Sequence, residues 1–307
     1  SAQHIWSKAS TQQLDRPRTL RQYVRLYLTG FSMGAADIVP GVSGGTMAFI
    51  LGIYETLLDA IKSFNVDSLR LVIAFKFREA LAKIPLAFII TLGIGILSAV
   101  FLLSNALGSA LETHAEFVFA FFAGLVIASI IAIGAKIRWT PLKLATTVVF
   151  TVLAFMIVGL NPLQDAAHSP LVLFFSGMIA IMAMILPGIS GSFILLLLGQ
   201  YKFVLDAVRS LDVVSIAALG IGCVVGIVGF SRILSWLLKH YEQLTIAALV
   251  GFMIGSLRKI WEGAPEASTP ILGMKEILNR PTEETLVALA LLALGFLLVS
   301  ALDHLQS

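Results

Sequence analysis

The pentapeptide Pro40-Gly41-Val42-Ser43-Gly44 returns, with one aliphatic exchange, as Pro187-Gly188-Ile189-Ser190-Gly191. The two copies lie 147 residues apart, and the same offset holds beyond them: residues 40–64 aligned with 187–211 share 11 of 25 positions. The identities include Gly52/Gly199, Tyr54/Tyr201, Asp59/Asp206 and Ser63/Ser210. A match held at one offset marks a duplicated architecture. Both breaks fall inside apolar runs, where a Gly/Pro interruption at matching places in two halves points to a transporter's binding site.

Lipid is the solvent in which this duplication has to fold. Apolar residues make up 58% of the 307 residues and charged residues only 13%, where a soluble domain carries about a quarter. Runs at about 85–104, 115–135, 142–160, 213–238, 244–260 and 284–302 approach or exceed the roughly 20 apolar residues a crossing needs. So much of the chain is committed to membrane that residues 1–307 are expected to form one integral membrane domain. The net charge of +3 gives no reason to expect nucleic acid. The single cysteine, Cys223, makes neither an internal disulfide nor a thiolate metal cluster. The basic stretch before the first apolar run runs straight into the motif without a cleavage site, so it is expected to be mature protein.

Each motif is flanked by two short apolar arms, 26–36 with 47–60 and 171–186 with 193–208. Arms this short, joined by a helix-breaking Pro-Gly, predict re-entrant hairpins over about 22–62 and 171–208. Non-helical backbone at that depth must be buried in protein or line a wet cavity, so the tips should meet each other or water. Three spans separate the hairpins, and an odd number of crossings turns the second copy over. Placing the amino terminus in the cytoplasm puts fifteen of the 21 Lys and Arg residues inside, as the charge bias of cytoplasmic loops requires; both termini are then cytoplasmic. Segment 66–84 reads as an interfacial amphipathic helix. A weaker echo at an offset of 127, residues 123–129 against 250–256, extends the duplication to whole halves. The expected fold is an all-α polytopic membrane protein of two inverted-topology repeats, each with a re-entrant helical hairpin and about three transmembrane helices. Residues 20–140 form the first repeat, and 141–307 hold a linking span and the second.

The chemistry expected at the tips is anion binding. Proline stops the incoming arm, glycines allow close approach, and Ser43 or Ser190 caps the helix that follows. A helix start leaves backbone N–H groups without internal partners, at the positive end of its dipole. Gly41, Val42, Ser43, Gly44, Gly45 and Thr46 would face Gly188, Ile189, Ser190, Gly191 and Ser192 across a donor-rich pocket suited to a phosphate or carboxylate. The competing reading is a close-packed crossing where small residues let backbones touch.

Asp37, three residues before Pro40, is a costly intramembrane carboxylate and a candidate for coupling or gating. It could carry a proton, help hold Na⁺, pair with a base, or accept hydrogen bonds from its own tip. Arg258 and Lys259 lie near the outer face, where they could collect an anionic headgroup or merely snorkel from a helix end. Arg21 and Arg25 stand at the cytoplasmic mouth, as an exit or as topology signals. Asp59 with Lys62 and Asp206 with Arg209 read as surface helix pairs. Tyr54 and Tyr201 are expected at the membrane interface.

The stretch Gly34-Ala35-Ala36-Asp37-Ile38-Val39-Pro40-Gly41-Val42-Ser43-Gly44-Gly45-Thr46, with Ile185-Leu186-Pro187-Gly188-Ile189-Ser190-Gly191-Ser192 and Gly255-Ser256-Leu257-Arg258-Lys259, closely resembles the PopT-type polyprenyl-phosphate transporters. The resemblance implies a bacterial cytoplasmic-membrane protein that returns undecaprenyl phosphate, a carrier lipid, from the outer to the inner leaflet. It implies no cofactor and no enzyme activity, and leaves H⁺ or Na⁺ coupling and oligomeric state open. Two rivals are a small-anion transporter or channel and a polyprenyl-diphosphate phosphatase. The latter needs a nucleophile with an acid/base partner, and the tips carry no His or Glu.

Overall fold

A computed structural model describes residues 17–39, 42–64, 84–264, 271–279 and 281–306, together with residues 74, 76 and 78. Helix α1 (Leu20–Ile38) opens on a reciprocal box. The Thr19 hydroxyl accepts from the Gln22 amide, and the Gln22 side chain accepts from the Thr19 amide, which satisfies two donors that a helix start leaves bare. It closes at Val39, just before Pro40. After the tip come α2 (Gly44–Ile50) and α3 (Tyr54–Lys62). Helix α4 (Leu86–Lys136) is followed by α5 (Pro141–Val158), which starts on a Thr140 cap with proline in its first turn. The second hairpin repeats the plan as α6 (Pro170–Ile185), α7 (Gly191–Leu197) and α8 (Tyr201–Ser210). Then come α9 (Val213–His240), α10 (Glu242–Glu262), a two-residue antiparallel pairing of β1 (Gly263–Ala264) with β2 (Ile271–Leu272), a 3-10 turn (Met274–Asn279) and α11 (Thr282–Gln306).

The short return arms over 47–60 and 193–208 are not single helices. Each arm is two helices, bent by 118° between α2 and α3 and by 106° between α7 and α8. The cause is local and duplicated. Gly52 (φ 74°) and Gly199 (φ 66°) take the left-handed conformation that favours glycine, and Ile53 N donates to Ala48 O as Gln200 N donates to Leu195 O. The incoming arm is also longer than its apolar stretch suggested: 19 residues of α1 make about 28 Å, against roughly 30 Å of hydrocarbon. Segment 66–84 lies almost wholly outside the described residues.

Five helices (α4, α5, α9, α10 and α11) are long and apolar enough to cross a bilayer, in agreement with a multi-pass membrane protein. Helix α4, at 51 residues, is broken at His114 (φ −146°, ψ 50°). Its roughly 76 Å is two crossings' worth, so the break divides it into the two expected spans. Residue 241 is His114's partner at the 127-residue offset, and Tyr241 (φ −132°, ψ 43°) breaks the chain between α9 and α10 in the same way.

Helix pairing shows the duplication in three dimensions. Helix α1 packs on the first limb of α4, and α6 packs on α9. A Cβ on Gly30 or Gly95 would strike the carbonyl oxygen of Leu92 or Tyr27. Its counterparts Gly177 and Gly222 would strike those of Leu219 and Phe174. The second limb of α4 crosses α11 at Gly124, as α10 crosses α5 at Gly251. These are backbone contacts that only glycine allows, a device membrane bundles use because lipid supplies no hydrophobic drive to associate. Of the five spans α10 is the inner one, 67% of its apolar window being buried against 17–22% for the rest.

Candidate functional site at the crossing of the two tips

The residues that follow the first break meet the second tip inside the bundle. Gly188 N donates to Thr46 Oγ1 at 2.8 Å, Ser43 Oγ donates to Met184 O at 3.3 Å, and Tyr54 OH donates to Ile185 O at 2.8 Å. Gly45 leaves space for no side chain, since a Cβ there would come within 2.8 Å of Met184 O. Tyr54 is therefore not at the membrane interface as expected. It is 1% exposed, edge-on to Phe49, because the bend at Gly52 turns it inward, and its hydroxyl serves a carbonyl left free where α6 ends. Tyr201, past the second bend, is 39% exposed.

The first tip presents no exposed side chain among its described residues. Val42, Ser43, Gly44, Gly45 and Thr46 are all buried, and Pro40 and Gly41 lie outside the described residues. Its donors already have acceptors within the chain: Gly44 N donates to Asp37 Oδ1 at 2.6 Å, Gly45 N to Ser43 Oγ at 3.1 Å and Thr46 N to Ser43 O at 2.9 Å. Asp37, half-buried, thus occupies the place at a helix start that an anion would take. Of its open sequence readings, the structure shows acceptance of a hydrogen bond from its own tip.

The second tip differs. Gly188 and Ile189 are buried and Ser190 is 8% exposed, but Gly191 is half-buried and Ser192 exposed. Ser190 caps α7 by accepting from Phe193 N at 3.2 Å, and its hydroxyl lies 2.7 Å from that of Ser192. Gly188, at φ 96°, sits against Ser256 and the Phe252 carbonyl of α10.

Arg258 and Lys259 do not form the paired capture site the sequence suggested. Adjacent residues on a helix point about 100° apart, and here they serve different neighbours. Arg258 donates to Glu262 Oε1 at 2.9 Å and to Phe155 O at 3.0 Å, with its guanidinium over the Phe155 ring. Lys259, 3% exposed, places its ammonium 4.5 Å above the Phe193 ring, on the helix that Ser190 caps. The structure thus brings Lys259 to the second tip and leaves Arg258 on α5. Arg21 and Arg25 are exposed near the start of α1, far from the tips. The Asp59–Lys62 and Asp206–Arg209 pairs form as expected, at 3.2 and 3.6 Å.

Sequence reasoning missed Gln200. It is 1% exposed, donates to Ala167 O at 2.9 Å, and holds His168 Nδ1 at 2.9 Å, fastening the loop after α5 to the bend between α7 and α8. His168 stacks on Phe203. The available signal was the break in the repeat, since Ile53 stands at the matching place in the first half.

Comparison with known proteins agrees with this architecture. Residues 33–299 match a family model described as VCA0040-like, undecaprenyl phosphate translocase-like. A polyprenyl-phosphate transporter of Vibrio cholerae serotype O1 is 43% identical over 240 residues, which cover 78% of this chain and 78% of the relative. A polyprenyl-phosphate transporter of Staphylococcus aureus is 33% identical over 256 residues, covering 78% of this chain and 86% of the relative. No solved structure matches the chain. These relatives are named as transporters and not as enzymes, so the phosphatase reading has no support among them. With the family model matched over residues 33–299, both tips included, the chain belongs to the VCA0040-like, undecaprenyl phosphate translocase-like family.

Proposed function

We propose that this chain carries a polyprenyl phosphate, of the undecaprenyl class, from the outer to the inner leaflet of the bacterial cytoplasmic membrane. The observation that carries this reading is the direct contact between the two duplicated tips, the second of which holds two paired hydroxyls, one on an exposed serine, beside the buried Lys259 of α10. A phosphate headgroup needs donors and positive charge that can release it again. Ser190, Ser192, the backbone at Gly191, and Lys259 provide these. Its tail remains in lipid.

In the conformation described, the second tip is the accessible one and the first is capped by Asp37. Inverted repeats would let the two exchange these roles, exposing the headgroup to each side in turn. In the exchanged state Gly41, Val42, Ser43, Gly44, Gly45 and Thr46 would take the phosphate, and Arg21 and Arg25 would lie on its route out. Asp37 would then be displaced from Gly44 N, which makes it the candidate for H⁺ or Na⁺ coupling. With the basic loops inside, both termini are cytoplasmic.

The test is a leaflet-resolved assay of a labelled polyprenyl phosphate in proteoliposomes containing the purified protein. Movement that requires the protein and falls in the Ser43→Ala and Ser190→Ala variants is expected. Full-rate movement by both variants, at normal protein levels, would show that the tips are not the site.

A further inference from the structure

The two bent elbows, α3 and α8, match in sequence and bend but are packed differently. Helix α3 lies on the C-terminal end of α9, in the other half of the chain. There Asp59 Oδ1 accepts from Ser235 Oγ at 3.1 Å and stands 3.2 Å from Lys62 Nζ and 3.7 Å from Lys239 Nζ. Lys62 Nζ also donates to Ser235 Oγ at 3.0 Å, and Glu55 lines the same cleft. Helix α8 instead packs near the start of α9, in its own half, and makes no comparable interface with α4 among the described residues. Asp206 and Arg209 stay 57% and 77% exposed.

The equivalences between the halves are fixed by the paired bends at Gly52 and Gly199 and the paired breaks at His114 and Tyr241. They give α8 a matching landing place on the first limb of α4, vacant among the described residues. Ser231, Leu234 and Leu238 of α9 correspond to Ser104, Leu107 and Leu111; Ser235 corresponds to Gly108 and Lys239 to Glu112. On the elbows, Glu55 and Lys62 correspond to Lys202 and Arg209. Two positions exchange sign, Glu55 for Lys202 and Lys239 for Glu112, while Asp59/Asp206 and Lys62/Arg209 keep theirs. Helix α3 brings Glu55 to the cleft that Lys239 lines, and α8 would bring Lys202 to Glu112. Glu112 is exposed, and no ion pair holds it or Lys202 among the described residues.

We propose that these are the two alternating gates of one transport cycle. Helix α3 on α9 closes one mouth here, and α8 on α4 closes the other in the exchanged conformation, with Lys202 engaging Glu112. The proposal rests on the reading of alternating exposure and adds the residues that select each state. Exposed ion pairs are individually weak, which suits contacts that must break once per cycle.

Paired cysteines in a Cys223→Ser background test it. Asp59→Cys with Ser235→Cys should cross-link in the conformation seen, and Asp206→Cys with Gly108→Cys in the exchanged one. A Cβ at Gly108 meets nothing within 4 Å. Both pairs should cross-link under mild oxidant in membranes, and each cross-link should stop polyprenyl-phosphate movement until reductant is added. Failure of the 206/108 pair to cross-link above the single-cysteine background, while 59/235 does, overturns the proposal. Independently, Lys202→Glu should slow transport by about fivefold, with Glu112→Lys restoring it; a double variant as slow as the single also overturns the pairing. If both cross-links form but the Cys223→Ser parent moves no polyprenyl phosphate, the gates stand and the transport reading fails.

Discussion

Thr46 and Gly188, 142 residues apart in sequence, are joined by a hydrogen bond of 2.8 Å from the Gly188 amide to the Thr46 hydroxyl. Both groups are buried, so each tip satisfies the other where water cannot. Thr46→Val keeps the shape and removes the acceptor. Leaving a buried N–H bare costs about 1–3 kcal/mol, so this variant should melt lower in detergent than the parent. Unchanged melting would mean that another acceptor reaches Gly188.

Gly188 tolerates no side chain. Its φ of 96° is unfavourable for any L residue, and a Cβ would lie 2.9 Å from Ser256 Cβ on α10. Gly188→Ala combines backbone strain with this collision, and a left-handed conformation alone costs roughly 1–2 kcal/mol. Loss of properly folded protein on size-exclusion chromatography is expected. Adding Ser256→Gly should recover part of it, because the collision goes and the strain stays.

Asp37 caps Gly44 through an oxygen that Asn also carries. Asp37→Ala should therefore lose about 1–2 kcal/mol of stability while Asp37→Asn stays close to the parent. Coupling needs the charge and not the cap. The Asn variant is thus expected to fold normally yet move lipid roughly tenfold more slowly, the scale on which a charged hydrogen bond matters. Parent-rate transport by Asp37→Asn would remove Asp37 from the coupling route.

Lys259 is nearly fully buried over Phe193. Methionine keeps the length and the contact with the Phe193 ring and removes only the charge, so Lys259→Met should still fold. Binding of the phosphate should fall by roughly ten- to a hundredfold, the worth of a charge-assisted hydrogen bond. A melting temperature and a transport rate that fall together would instead show that Lys259 is structural.

Gln200 fastens the loop after α5 to the second elbow. Gln200→Leu keeps the volume and loses the bonds to Ala167 and His168. Faster hydrogen exchange in residues 161–169, with exchange in α9 unchanged, is expected. Equal protection in the loop would show that packing on Phe203 holds it alone.

The duplication, the membrane environment and the positions of the breaks were legible in the sequence because each depends on composition or on local backbone chemistry. Proline ends α1 and α6 and the apolar content selects lipid as solvent, whereas the bends at Gly52 and Gly199 emerged only from the structure. Only the tertiary structure decided which tip is capped and which is exposed, that Tyr54 turns inward, and that Arg258 and Lys259 serve different helices. Those outcomes depend on partners more than a hundred residues away in several cases, such as Met184, Ile185 and Phe155. Near-identical motifs can meet unlike neighbours, and in lipid a backbone donor left bare is so costly that the nearest acceptor in the fold decides what remains available for a ligand.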